Sequence, residues 1–153
     1  MLHKEGELRH LGLSNFPPWE YEELMSVRNS ISIPPIVNQF EVSPFMYRPR
    51  DVVYFQEGVL LFQISQSSGC SLANQTLREI SRKQSFSPAQ IMIRWGIRKS
   101  FTVACKTSSP ERMAKNRGLF HFALSKEEIN ITDGLTTAED VAKREQLEKE
   151  RKL

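Results

Sequence analysis

Four short apolar runs recur along the chain, and longer segments with a helical spacing of apolar residues separate them. The runs cover residues 8–13, 36–39, 59–62 and 101–105. The first alternates apolar and polar residues, and the second follows two prolines, which suit the start of a strand. The third is continuously apolar, which is typical of a strand buried on both faces. The pattern therefore predicts four strands.

The segments between these runs predict helices. Residues 19–27 carry spaced apolar side chains among carboxylates, and residues 72–82 place their apolar side chains roughly on one face. Three further helices begin at serine caps, two of which have Gln or Glu three residues later as in a capping box: Ser87, Ser109 and Ser125. Strand and helix alternate four times, which indicates an α/β protein with a parallel sheet.

Residues 138–153 form a different kind of segment, charged nearly all round. Glu145 with Lys149, and Glu148 with Lys152, have the i, i+4 spacing of helical ion pairs. We predict a solvated helical tail, with a partner-binding helix as the alternative.

Composition excludes several classes of protein. The 153 residues are 39% hydrophobic, enough for the core of one domain. A net charge of +3, spread evenly, does not indicate a nucleic-acid partner. No apolar run approaches the roughly 20 residues of a membrane span, and the first residues do not resemble a signal peptide. Cys70 and Cys105 form neither a disulfide framework nor a metal motif, which favours a reducing, cytoplasmic location and no metal site.

Motifs for catalysis are missing from the sequence. His3, His10 and His121 have no metal-ligand spacing, and we expect His10 in the middle of the first strand. No dinucleotide fingerprint, phosphate-binding loop or nucleophile elbow occurs. Lys106 could lower the pKa of Cys105, but a cysteine that ends an apolar strand is expected to be a small buried residue.

A candidate anion site follows the last strand. Lys106, Thr107 and Ser108 precede the helix capped by Ser109, whose first turn contains Arg112. Helix N-termini attract anions, and these side chains add charges and hydroxyl donors. On spacing alone, a phosphate site and an ordinary capped helix with solvated basic residues both remain open.

Five segments resemble the aldo-keto reductase family. GELRHLGLSNF at 6–16 is similar to the family's GKIRxIGVSNF, VNQFEVSPF at 37–45 to VNQxExxPf, and SPAQIMIRW at 87–95 to SPAQVxxRW. KTSSPERMAKN at 106–116 resembles PKSxxPERIxEN, and FALSKEEINITDGL at 122–135 resembles FeLsxeexxxidgL. The segments occur in the family's order.

The resemblance implies a (β/α)8 barrel that reduces aldehydes and ketones with NADPH. It assigns the nicotinamide carboxamide to Ser14, Asn15 and Gln39, and the amides of Asn15 and Gln39 supply paired donors and acceptors. It places Ser65 near the pyrophosphate and gives the remaining positions to the 2′-phosphate and adenine: Lys106, Thr107, Ser108, Arg112 and Asn116.

Three departures from the family pattern reduce the share of the family's activity that we expect of this chain. Ile64 stands where the family has an aromatic residue that stacks on the nicotinamide, and the helix before Gly58 is about two residues shorter. No residue matches the family's catalytic Asp, Tyr, Lys and His, which belong to its first four strands. The chain therefore resembles strands five to eight of the barrel, a C-terminal half-barrel over residues 1–137 followed by the charged tail at 138–153.

Three hypotheses follow, because a complete barrel needs about 250 residues. The chain is a truncated carbonyl reductase that is inactive alone, a non-catalytic NADP(H)-binding module, or a half-barrel that pairs with a second copy or another chain. The sequence does not separate a functional half-protein from a truncated reading frame, nor does it identify a substrate.

Overall fold

The computed structural model describes residues 6, 8–27, 33–57, 61–65 and 73–151, where four strands and seven α-helices occur. A 3-10 helix, Gly118–His121, follows the fifth α-helix. In chain order the elements are β1 (Leu11–Ser14), α1 (Pro18–Ser26), β2 (Pro35–Glu41), α2 (Pro49–Glu57), β3 (Leu61–Ser65), α3 (Gln75–Gln84), α4 (Pro88–Arg98), β4 (Thr102–Ala104), α5 (Pro110–Arg117), α6 (Lys126–Asp133) and α7 (Ala138–Arg151).

The four strands form one parallel sheet in the order β1-β2-β3-β4. This confirms the α/β class and the parallel sheet, and each predicted apolar run overlaps a strand. One boundary is wrong: β1 begins at Leu11, so His10 is an exposed residue before the strand rather than in its middle. The alternating segment at 8–13 therefore includes three residues that precede the strand.

Helices cover one face of the sheet. On β2, Asn38 and Phe40 are buried, whereas Val37, Gln39 and Glu41 on the other face are half-buried or exposed. Phe40 packs with buried residues of α2, α3, α4 and the segments near them: Val52, Phe55, Leu77, Ile80, Ile91, Met92, Trp95, Phe101 and Leu124. The predicted burial of residues 59–62 falls on side chains outside the described ones.

Local sequence signals set the predicted helix starts. Ser87 and Gln90 form a reciprocal capping box at α4, and Ser125 and Glu128 form another at α6. Ser109 caps α5 by accepting a hydrogen bond from the Arg112 backbone N–H. The predicted helix at 72–82 begins at Gln75 because Asn74 caps it, and Leu72 lies outside the described residues.

Helix α7 is anchored to the body of the structure through charged groups. Arg48, only 8% exposed, pairs with Asp51 at 2.7 Å and with Glu148 of α7, and its guanidinium lies over the Phe40 ring. Glu148 also faces Arg144 at 3.6 Å. The prediction of a solvated tail is therefore wrong for the side of α7 that carries Glu148. Lys152, its predicted partner, lies outside the described residues.

Glu128 is a buried carboxylate that ties α6 to α3. It accepts hydrogen bonds from Ser125 N at 2.8 Å and from the Gln84 side-chain amide at 2.8 and 2.9 Å, and Lys83 Nζ lies 3.3 Å away. Burial alone would raise the pKa of Glu128, but these hydrogen bonds and the Lys83 charge lower it overall.

We predict that Glu128→Gln lowers the free energy of unfolding by about 1 kcal/mol at pH 7. The lowered pKa stabilises the fold above the unfolded value of about 4.3, and this contribution is lost as pH falls through the folded pKa. Urea unfolding should show a larger difference from wild type at pH 7 than at pH 3. The exposed neighbour Glu127→Gln serves as the control. An equal loss at both pH values would contradict the prediction.

Candidate functional site

The predicted site residues lie at the carboxyl edge of the sheet. Ser14 at the end of β1 is paired in register with Gln39 of β2, and Ser65 at the end of β3 is paired with Glu41 and Ala104. Neighbouring strands lie about 4.8 Å apart, so this edge is about 14 Å long from β1 to β4. Parallel α/β folds bind ligands at this edge. The side chain of Ser65 is outside the described ones.

Asn15 closes the end of β1 onto β2. Its φ of 56° lies in the left-handed region that asparagine tolerates better than most residues. Its backbone N–H donates to Gln39 O at 2.8 Å, and its side-chain oxygen accepts from Glu41 N at 3.0 Å. Asn15 therefore holds the exposed Ser14 beside the half-buried Gln39.

Asn38 is a residue that the sequence analysis did not assign to the site. It is fully buried, its side-chain NH2 donates to Phe16 O at 2.9 Å, and its side-chain oxygen accepts from Phe16 N at 3.4 Å. These two bonds fix the chain just after Ser14 and Asn15. A polar residue at a buried position of a strand needs hydrogen-bond partners. The alternation of apolar and polar positions along β2 could therefore have identified Asn38.

A cleft of about 370 Å³ follows β4 and runs along α5. Thr107 lies at the rim of the cleft, and its hydroxyl oxygen accepts a hydrogen bond from Ser109 N at 3.2 Å. Ser108 is exposed and is not among the lining residues. The lining combines four predicted residues with five others: Lys106, Thr107, Arg112 and Asn116, together with Ser87, Ala89, Ile93, Cys105 and Lys115.

The cleft is electropositive. Lys106, Arg112 and Lys115 contribute three cations, and the nearest carboxylate on α5, Glu111, pairs with Lys115 at 2.6 Å. The hydrogen bond from Lys115, together with the charges of Lys115 and Arg112, lowers the pKa of Glu111. Such a surface favours an anionic ligand such as a phosphate.

Cys105 differs from the sequence expectation. It is an exposed free thiol on the cleft, rather than a buried residue that fills the core. Partial desolvation raises the pKa of the Cys105 thiol. The lowered pKa that the neighbouring Lys106 could have produced is therefore not found. The cysteine side chain therefore stays protonated at neutral pH and is a weak nucleophile.

Lys115 was missed by the sequence analysis although it lies three residues after Arg112 on the same helix. Residues at i and i+3 share a helix face, so this spacing could have placed both side chains on the cleft. The segment PKSxxPERIxEN, by contrast, has Glu at the position of Lys115.

Neither a metal site nor a membrane-spanning helix is found in the part of the chain that the structure describes. No group of three or more His, Cys, Asp and Glu side chains could hold a metal ion there. None of the helices described is long and apolar enough to cross a membrane. The cytoplasmic location stays a prediction.

Asn38→Leu should destabilise the fold by about 1–3 kcal/mol, because it buries the Phe16 N–H and C=O without partners. Gln39→Leu, the matched change on the other face of β2, should cost less. Chemical unfolding of the two variants measures the difference. Equal losses would show that the Asn38 hydrogen bonds do not hold this edge.

Known proteins similar to this chain were found by sequence and by structure. The sequence model of the aldo/keto reductase family matches residues 61–137. An uncharacterized oxidoreductase of Schizosaccharomyces pombe is 37% identical over 82% of this chain and 46% of its own length. The glyoxal reductase of Bacillus subtilis is 32% identical over 92% of this chain and 50% of its own length.

Solved structures show the same partial coverage. An aldo-keto reductase from a deep-sea metagenome library superposes with a TM-score of 0.79 and 28% identity, over 89% of this chain and 51% of that one. The aldose reductase of Schistosoma japonicum gives a TM-score of 0.77 and 25% identity, over 89% and 45%. The chain thus spans about half the length of the relatives it matches.

Proposed function

Because this chain belongs to the aldo/keto reductase family, we propose that it binds NADP(H) along the carboxyl edge of its sheet and forms the cofactor side of a carbonyl-reducing site. One observation carries the proposal. Lys106, Thr107, Arg112 and Asn116, which are separated by up to ten positions, line a single electropositive cleft at the end of β4. Its volume of about 370 Å³ lies within the usual range of ligand pockets.

The adenosine end of the cofactor fits this cleft. Arg112 offers a planar fork of donors and Lys106 a compact charge, and both suit the 2′-phosphate of NADP. Thr107 contributes a hydroxyl at the rim, and Ser108 lies next to it in the chain. The Asn116 amide can both donate to and accept from the adenine.

The nicotinamide end fits the opposite end of the same edge. Ser14 and Gln39 lie side by side there, and we propose that they hold the carboxamide with Asn15. Asn15 also fixes their spacing through its bonds to β2. Ser65, at the end of β3 between the two groups, is assigned to the pyrophosphate. This strand also contains Ile64, so no aromatic residue at that position stacks on the nicotinamide.

The bound cofactor supplies a hydride, and the protein must supply a proton to the developing alkoxide. No residue of this sequence matches the family's Asp, Tyr, Lys and His tetrad. We therefore propose that residues 1–153 bind the cofactor without reducing carbonyls, and that the proton donor comes from four further β/α units. In this assignment residues 1–137 correspond to strands five to eight of the barrel, and 138–153 lie outside it.

The open face of the sheet supports the need for further units. Val37 and Gln39 on that face are only half-buried, Glu41 is exposed, and β1 and β4 are the edge strands of the described sheet. Edge strands with unpaired backbone groups bind other strands readily. Two copies of four strands would equal the eight of the family barrel, so we propose that a second half-barrel covers this face, either a second copy or another chain.

A non-catalytic NADP(H)-binding module is the second candidate. The electropositive cleft together with the unmatched tetrad favours it. Carbonyl-dependent oxidation of NADPH by the purified chain, above a buffer blank, would exclude it and would also contradict the inactivity proposed here.

Titration with NADPH should give a saturable change in its fluorescence. Arg112→Ala should weaken NADPH binding about tenfold or more, because a hydrogen bond between charged groups is lost, and should leave NADH binding nearly unchanged. Arg117→Ala is a matched control, since Arg117 is an exposed residue of α5 that does not line the cleft. No saturable change with wild type would rule out the proposed cofactor site.

The chain should sediment as a dimer at micromolar concentration if a second copy covers the open face. Val37→Lys should then shift the equilibrium to monomer, because it places a charge on that face. Val53→Lys adds the same charge to the exposed surface of α2 and should have no effect. A stable wild-type monomer would contradict pairing with a second copy.

A further inference from the structure

Lys115 is a cation of the cleft that the proposed cofactor contacts do not use. It lines the cleft with Lys106 and Arg112, while its ammonium pairs with Glu111 Oε1 at 2.6 Å. Glu111 is not among the lining residues. The ion pair thus draws the ammonium of Lys115 toward a carboxylate of a residue outside the cleft lining, although Lys115 itself lines the cleft.

This ion pair is easily exchanged. The Lys115 and Glu111 side chains are 57% and 75% exposed. Exposed i, i+4 pairs contribute little stability, because water screens the charges and two flexible side chains must be held in place. A more strongly charged acceptor inside the cleft can therefore compete with Glu111 for the ammonium.

We propose that Lys115 is a third phosphate-binding cation, which exchanges Glu111 for a phosphate monoester held between Lys106 and Arg112. The inference rests on the proposed NADP(H) site and adds a specificity residue to it. Lys115 then favours a 2′-phosphorylated adenosine over an unphosphorylated one.

The three acceptor oxygens of a phosphate monoester support this assignment. A phosphate monoester carries a charge of about −1.5 to −2 at pH 7 and has three acceptor oxygens. Lys106 and Arg112 together supply two positive charges, and Arg112 can occupy two of the oxygens with its fork. The three-donor ammonium of Lys115 can bind the third oxygen. An unphosphorylated ribose offers hydroxyl groups there, which give Lys115 no charge to compensate for the loss of Glu111.

The test compares Lys115→Met with Glu111→Gln in binding titrations with NADPH, NADH and adenosine 2′-monophosphate. Lys115→Met should weaken NADPH and the monophosphate up to about fivefold, the size expected for one exposed charge, and leave NADH unchanged. Glu111→Gln should strengthen binding of the two phosphorylated ligands, because it removes the competing carboxylate. Both effects should shrink at high salt. Lys126→Met, an exposed lysine of α6, is the control.

A second readout follows the exchange directly. The pKa of the Glu111 carboxyl, which the hydrogen bond from Lys115 lowers in the ligand-free protein, should rise toward its usual value when NADPH binds. It should not move with NADH. The charge of Arg112 also lowers the pKa of Glu111. The same titration in the Lys115→Met variant, which keeps Glu111, therefore measures the contribution of Arg112 alone.

The outcomes separate this inference from the proposed function. Unchanged or equally changed NADPH and NADH affinities in Lys115→Met would overturn the role of Lys115 and leave the cofactor site standing. Absence of binding by wild type to all three ligands would overturn both. Lys115→Gln keeps a polar side chain at the same position and repeats the test if the Met variant folds poorly.

Discussion

Parallel pairing of the four strands is the constraint on which the rest of the structure depends. Parallel strands bring all their carboxyl ends to one edge, and the observed register places Ser14 beside Gln39 and Ser65 beside Ala104. Asn15 and Asn38 lock the β1 end of this edge through bonds to backbone groups of β2 and of Phe16. Residues far apart in the sequence thus lie along one edge of the sheet.

The helices bury one face of the sheet more fully than the other. The helices cover Phe40 and its neighbours, and the buried Arg48 links the N-terminal end of α2 to α7. The opposite face has no comparable cover among the described residues, and the chain spans about half of each relative. We propose one physical explanation for both facts, in which the other half of a barrel packs against this face.

Short-range signals made much of the fold predictable. The caps at Ser87 and Ser125 need only residues three positions away, and both occur as predicted. Contacts between residues distant in the sequence could not be predicted from such signals. Glu148 pairs with Arg48, 100 positions earlier, as well as with Arg144 of its own helix, and the Asn38 side chain is satisfied by Phe16, 22 positions away. Cys105 was expected in the core because an apolar strand precedes it, but β4 ends at Ala104 and the cysteine lines the cleft.

We propose that one dinucleotide spans the carboxyl edge of the sheet from β1 to α5. Backbone amide shifts in an NMR titration with NADPH test it most directly, because they report both ends at once. We predict that the amides of Ser14 and Gln39 shift together with those of Thr107 and Asn116, and that all four give the same Kd. Shifts confined to one end of the edge, or different Kd values at the two ends, would contradict the account.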